Sequence, residues 1–312
     1  GKLLLVGRRE DLLQYVLPLV GMLAQGDPKA DTRGRDGAEG DDDGEKGGDD
    51  GGGANADAAD GEAPPWRCAE SDALSLLGLY QAWSARGADD SAAARLGLVP
   101  KTMTEAAQLT RQLADLLAEI FPDDAPSHVA TAPPSAAHAA RLRRALAFAL
   151  PDCVARLATL CTSPAERQLI LTLGADLRPA LLRKAYLACE QGAGALLWLR
   201  PGSALAQLRP RPPYVAFFDV TQSKRPYMSR ASLIDPGWLP AASPALTSLS
   251  PPKLELAPRY DGAADSTQWW VEPTYGAARW VLPVVPRPVP ADAGANARAA
   301  LFARALCDGA VL

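Results

Sequence analysis

Tyr214-Val215-Ala216-Phe217-Phe218-Asp219-Val220 is a run of β-branched and aromatic residues, and Thr221-Gln222-Ser223-Lys224-Arg225-Pro226-Tyr227-Met228 after it turns polar and basic. Such a run bounded by Pro reads as a strand leading into a turn. Similar short runs occur at Ala195 to Leu199, Gln268 to Val271 and Trp280 to Val285, separated by Pro and Gly. The part from Ala195 onward therefore predicts a small β-barrel or sandwich. Five of the seven Trp lie there (Trp198, Trp238, Trp269, Trp270 and Trp280), and they read first as core packing and second as surfaces for stacking bases.

Upstream the period changes from two to that of a helix. Leu3 to Val20 carry apolar residues at near-helical spacing and predict a helix or helix pair ending near Gly26. Ser71 or Asp72 can cap a helix with Leu74, Leu77, Tyr80, Gln81 and Trp83 mostly on one side. A further helix is expected from about Thr102 to Ile120, stopped by Phe121-Pro122, with Asp123 to Pro134 as a linker. Helices are also expected over Ala136 to Leu150, which carries Arg141, Arg143 and Arg144, and over Ala165 to Leu187, where Pro179 can split the second.

Between Gly26 and Ala63 stand 13 acidic and 4 basic residues, a net of −9, among Gly runs. With so little apolar surface this insertion is expected to be disordered. The rest holds 28 basic and 23 acidic residues, so it is +5 although the whole chain is −4. A slightly basic remainder permits a polyanionic partner and equally fits ordinary surface charge.

Several function classes lack their residues. The five cysteines, Cys68, Cys153, Cys161, Cys189 and Cys307, form no Cys-x-x-Cys pair, which argues against a disulfide framework or zinc site and for a reducing compartment. His128 and His138 lie in or beside the Pro-rich linker without a Cys or paired carboxylate at metal or triad spacing, and are expected to be solvent-exposed bystanders. No Gly-x-x-x-x-Gly-Lys-Ser/Thr loop, Gly-x-Ser-x-Gly elbow or dinucleotide fingerprint occurs, so no catalytic residue, metal or cofactor is expected in this chain. Arg8 to Asp11 interrupt the apolar first segment, which reads as neither signal peptide nor membrane span. The chain starts without Met and enters a helical pattern at once, which predicts a portion upstream.

Taken in order, these segments resemble the region that follows the two motor domains in DEAH-box RNA helicases. Gly1-Lys2-Leu3-Leu4-Leu5 and Tyr15-Val16-Leu17-Pro18-Leu19-Val20-Gly21-Met22-Leu23 resemble the junction of winged helix and ratchet domain. Ser71-Asp72-Ala73-Leu74-Ser75-Leu76-Leu77 through Tyr80 and Trp83 is similar to the ratchet motif Asp-x-Leu-x-Leu-Leu before a Tyr and an aromatic. Leu109-Thr110-Arg111-Gln112-Leu113 resembles a Leu-Arg-x-Gln-Leu motif with the arginine one place late. Arg200-Pro201-Gly202-Ser203 stands where the family has His-Pro-Ser-Ser, and Thr221-Gln222-Ser223-Lys224-Arg225-Pro226-Tyr227-Met228 resembles its OB-fold signature with one extra residue. Trp280 to Pro283 and Leu301 to Val311 resemble an extension found in the branch that acts in small-subunit ribosome biogenesis.

The resemblance implies an α+β chain: the end of a winged helix at 1–25, the insertion at 26–63, a helical ratchet domain at 64–190, an OB-like barrel at 191–258, and an extension packed on it at 259–312. It implies RNA contacts at Ser223, Lys224, Arg225, Tyr227 and Arg230, and at Arg200 and Ser203. The chemistry is sensible, since a hydroxyl can bond a phosphate oxygen and a lysine adds a point charge. The implied role is the RNA-gripping part of an ATP-dependent helicase of the nucleolus that handles pre-ribosomal RNA and releases U3 small nucleolar RNA. ATP and magnesium would belong to motor domains outside this chain, which alone would not hydrolyse ATP. The implied partners are single-stranded RNA, the motor domains and a protein activator, with no membrane. The alternatives are an adaptor that docks such an activator without touching RNA, and the same region of a spliceosomal relative.

Overall fold

The computed structural model describes residues 1–29, 66–123, 128–161, 163–189, 195–253, 255–277, 279–290 and 295–309. The acidic insertion at 26–63 lies outside them except for Gly26–Lys29. The chain is α+β and divides into two compact units, Gly1–Ala139 and Ala140–Leu312.

The first unit is built on α1 (Lys2–Arg9), α2 (Leu13–Ala24), α3 (Asp72–Ser84), α4 (Asp90–Arg95) and α5 (Pro100–Ile120). The N-terminal apolar stretch is thus two helices. In α2, Val16, Leu17, Leu19 and Met22 are fully buried and polar residues are nearly absent. A helix apolar on all sides must lie inside its unit, and α2 packs against α1, α3 and α5. Gly21 allows the approach to α5, because a Cβ there would collide with the Thr110 hydroxyl and the Ala106 carbonyl. Thr110 is buried, and its hydroxyl donates to the Ala106 carbonyl at 2.7 Å, while Arg111 points to solvent. Thr110 therefore serves packing.

Ser71 caps α3 as its sequence predicts, its hydroxyl accepting the Leu74 N–H at 3.0 Å. Gln81, on the otherwise apolar face of that helix, is 2% exposed and donates to the carbonyls of Ala130 and Ala132 at 3.0 and 2.7 Å. A buried amide needs such partners, and these tie the linker to the helices. His138 is half-buried rather than an exposed bystander: Ser135 lies 3.1 Å from its Nδ1 and the Tyr15 ring is 5.5 Å away.

In the second unit α6 (Ala136–Ala149), which enters from the first, leads to β1 (Val154–Leu157), α7 (Pro164–Leu173), α8 (Pro179–Leu182), β2 (Tyr186–Ala188), β3 (Leu196–Leu199), β4 (Tyr214–Ala216), β5 (Asp219–Gln222), β6 (Pro226–Ser229) and β7 (Ser232–Leu233). After α9 (Leu239–Ala242) come β8 (Thr247–Leu249), β9 (Arg259–Asp261), β10 (Ser266–Val271), β11 (Pro273–Tyr275), β12 (Trp280–Val281), β13 (Val285–Pro288) and α10 (Ala295–Cys307). Helix was expected from Ala165 to Leu187, yet that span holds α7, the short α8 and then the start of β2, while β1 falls in the gap before it. Gly174 ends α7, Pro179 opens α8, and Tyr186–Ala188 finds antiparallel partners in β1 and β3. Pairing across the sheet overrides the weak local preference of such short segments.

The main sheet runs β5-β6-β3-β2-β1-β4-β7, with β3 and β6 parallel. No ladder joins its ends, so among the described residues it is an open series and not a closed barrel. The chain itself links the flanks, because β4 runs into β5 through Phe217 and Phe218 alone. The Phe217 N–H continues the β1 side by donating to Cys153 at 2.9 Å, and the Phe218 N–H opens the β6 side by donating to Ser229 at 3.1 Å.

Both faces of this sheet are buried, as the unbroken apolar runs of β1 and β3 require. Leu197, Leu199, Val215, Phe217 and Met228 pack on one face. On the other, Val154, Leu187, Trp198 and Tyr214 meet Ile234, Leu239, Tyr275, Trp280 and Leu282. Tyr275 also donates to the Pro151 carbonyl at 2.7 Å. The later strands form two small sheets, β13-β10-β9 and β12-β11-β8, and α10 sets Phe302 against Tyr260 at 5.9 Å.

Candidate nucleic-acid interface

β5 and β6 form a hairpin closed by Ser223, Lys224 and Arg225. β6 is anchored from both sides, by β3 through Trp198↔Tyr227 and Leu199↔Met228, and by β5 through four register pairs. Met228 is fully buried, so the strand cannot slip without exposing it. Ser223 and Lys224 are exposed at the tip, Arg225 is half-buried, and the Ser223 N–H reaches back to the Arg225 carbonyl at 3.3 Å. β5 leaves Asp219, Thr221 and Gln222 open to solvent, and Thr221 Oγ1 lies 3.0 Å from Ser229 Oγ across the hairpin.

The seven residues expected to touch RNA do not form one cluster. Ser223, Lys224 and Arg225 stand at the start of β6. Arg230 follows its last residue, about 13 Å along at the rise of a strand. Arg200, just past Leu199 of β3, lies by register at the Arg230 end. Tyr227 packs its ring against the core opposite Trp198, which leaves it half-buried. Ser203 is a correction: it is 5% exposed, and its hydroxyl accepts the Leu205 N–H at 3.2 Å as the cap of the turn Ala204–Gln207. Its role there is internal. The same connection, residues 200–213, also carries Arg209 and Arg211 and no acidic residue. Burial pushes Arg211 below the ordinary guanidinium range, and pushes Tyr186 beside it up to about 12.

Two features escaped the reading of the sequence. Phe218 is 39% exposed while Phe217, one place earlier, is 1% exposed. Phe218 falls in the bend between β4 and β5, outside both strands, so no strand period marks its exposure. The second is a buried ion pair, Arg156 on β1 with Glu166 in the first turn of α7. Glu166 also accepts the Ser163 N–H at 3.2 Å, and the Ser163 hydroxyl in turn accepts the Glu166 N–H at 3.2 Å, a capping box that fixes the helix start on the sheet. The guanidinium lies 5.0 Å from the centre of the Trp280 ring and donates to Cys161 Sγ at 3.4 Å. Burial pushes the Cys161 thiol up, keeping it neutral and leaving Glu166 as the counter-ion. A cavity of about 390 Å³ beside the pair is lined by Tyr214, Leu282 and the exposed Arg279. Since Arg156 and Glu166 cancel, Arg279 is the net charge of that lining, and the basic hairpin is the stronger candidate for a polyanion.

Among the described residues no group of three or more His, Cys, Asp or Glu is placed to hold a metal ion, and no helix is long and apolar enough to cross a membrane.

Fold and surface thus define an α+β protein with a helical unit and a β unit, the latter presenting a basic hairpin on a rigid sheet. Over 101 residues, 32% of its length, the chain is 32% identical to ATP-dependent RNA helicase DEAH13 of Arabidopsis thaliana. It spans 8% of that protein's length. Part of the chain is therefore similar to a DEAH-box RNA helicase. No family model matches it.

Proposed function

We propose that this chain is the RNA-gripping accessory region of an ATP-dependent DEAH-box RNA helicase acting in pre-ribosomal RNA processing and small-subunit assembly, including release of U3 small nucleolar RNA. The observation that carries the reading is the Ser223–Arg225 tip, a hydroxyl and two cations projected from a hairpin whose strand is locked into the sheet. A rigid mount with a basic tip suits phosphate contacts, which position a strand without reading its sequence. The partial similarity to a DEAH-box RNA helicase supports the same reading.

In this reading the ratchet, expected at 64–190, includes the helical unit, and the main sheet is OB-like, starting before the expected 191 because it includes β1 and β2. The three-strand run β1-β2-β3, the parallel β3 and β6, and the run Tyr214–Gln222 shared between β1 and β6 fit a five-stranded, partly open Greek-key barrel. ATP and magnesium act in motor domains beyond this chain, which holds single-stranded RNA while they move it, and the site of action is the nucleolus. The resemblance of Trp280–Pro283 and of the segment from Leu301 to the ribosome-biogenesis branch supports the choice over a spliceosomal relative.

Replacing Lys224 and Arg225 together by Ala is expected to weaken binding of unrelated single-stranded RNAs to a similar degree. The slope of log affinity against log salt should become shallower by up to about 0.7 for each phosphate that the variant no longer engages. Unchanged affinity and slope in a folded variant would instead favour the adaptor that docks a protein activator.

A further inference from the structure

We propose that Phe218 and Arg230 together form a stacking platform for a nucleobase. The inference rests on the single-stranded RNA reading above, and adds that the chain touches bases as well as phosphates. Phe217 and Phe218 make the bend where one run of chain passes from β1 to β6. Core packing accounts for Phe217, which is 1% exposed, but not for Phe218, whose ring stays 39% exposed. The Arg230 guanidinium lies 5.4 Å from the centre of that ring. Arg230 holds this place with φ at 54°, a left-handed backbone that disfavours residues with a Cβ. Strain kept at an exposed aromatic ring is the kind of local cost that functional sites retain.

The location suits a base better than a phosphate. The Phe218 N–H donates to the Ser229 carbonyl, so ring and arginine share the far end of the hairpin from Lys224. Asp219 is exposed next to Phe218, its carboxylate accepting the Val220 N–H at 2.7 Å. That negative charge offsets Arg230 and works against a phosphate lying there. A flat ring beside a flat guanidinium still offers π-surface to an uncharged base, the mode by which proteins hold single strands irrespective of sequence. A strand gripped by phosphate at the Ser223–Arg225 tip would reach this platform about 13 Å on, along the rise of β6.

The test uses the whole chain with two probes of equal length, oligouridylate and an abasic ribose-phosphate oligomer, read by fluorescence anisotropy. Phe218→Ala is expected to weaken oligouridylate binding by about five- to a hundredfold, with the abasic oligomer unaffected and the salt slope unchanged. Phe218→Trp should keep the affinity, and Arg230→Lys, which retains the charge but loses the plane, should lose part of it for oligouridylate alone. If wild type binds RNA but Phe218→Ala leaves both probes unchanged, or weakens both equally, the platform is wrong while the RNA reading stands. Failure of wild type to bind either probe removes the RNA reading, and the platform with it. Circular dichroism of each variant shows that the fold is kept.

Discussion

Replacing Glu166 by Ala is expected to lower the melting temperature of the 140–312 unit by about 6–20 °C. The change leaves the Arg156 guanidinium, 4% exposed, without its counter-ion between β1 and α7. Breaking a buried pair from one side costs about 3–5 kcal/mol, and in a unit of this size each kcal/mol is about 2–4 °C. The substitution also removes half of the capping box with Ser163, so the start of α7 should loosen as well. The control is Arg156→Met with Glu166→Leu, which takes out both charges and should lie far closer to wild type. Thermal unfolding followed by circular dichroism gives the comparison. Equal losses in the single and double variants would show that the ion pair is not what makes Glu166 matter.

The second large effect is expected at Trp280. Its indole is fully buried, meets Tyr214 edge-on at 6.3 Å, and supports the Arg156 guanidinium from one side. Trp280→Ala should destabilise the unit by about 3–5 kcal/mol through reduced burial and the cavity left behind. Trp280→Phe should cost much less, under about 1.5 kcal/mol, because Trp280 Nε1 is buried without a hydrogen-bond partner among the described residues and a phenyl ring leaves no donor to satisfy. Chemical denaturation of the three proteins measures both. A Trp280→Phe loss as large as that of Trp280→Ala would mean that the indole N–H has an undetected partner. Trp280→Ala and Glu166→Ala share Arg156, so their combined loss should fall short of the sum.

Much of the helical unit was legible in the sequence because its signals are local. Ser71 three residues before Leu74, and the apolar spacing of Leu74, Leu77 and Tyr80, define α3 without help from the rest of the chain. Pro122 and the gap in pattern before it likewise end α5 near the expected place. Strands were harder. Val154–Leu157 and Tyr186–Ala188 are too short to show a period of their own, and what makes them strands is pairing with β4 and β3. The position of Gln81 on an apolar face also made sense only once Ala130 and Ala132 were seen to need its amide.

The candidate site divides in the same way. The Ser223–Arg225 tip could be read from composition, since hydroxyl and cations between two β-forming runs already describe a polar hairpin. Ser203 could not be assigned correctly, because motif similarity says nothing of whether a hydroxyl faces solvent or caps its own turn. Arg156 lies between the two expected helices and Glu166 at the start of the second, ten residues apart with no pattern to couple them. Phe218 was hidden by Phe217, and only the bend between β4 and β5, which buries one ring and exposes the other, separates their roles.

The central claim is that this chain grips single-stranded RNA through phosphates, and the most direct test is its own affinity for two unrelated single strands of equal length across about 50–200 mM salt. Similar dissociation constants are expected for the two sequences, with a falling log–log line of slope about −0.7 per phosphate contact. Absence of binding at low salt, or binding that does not change with salt, would contradict it.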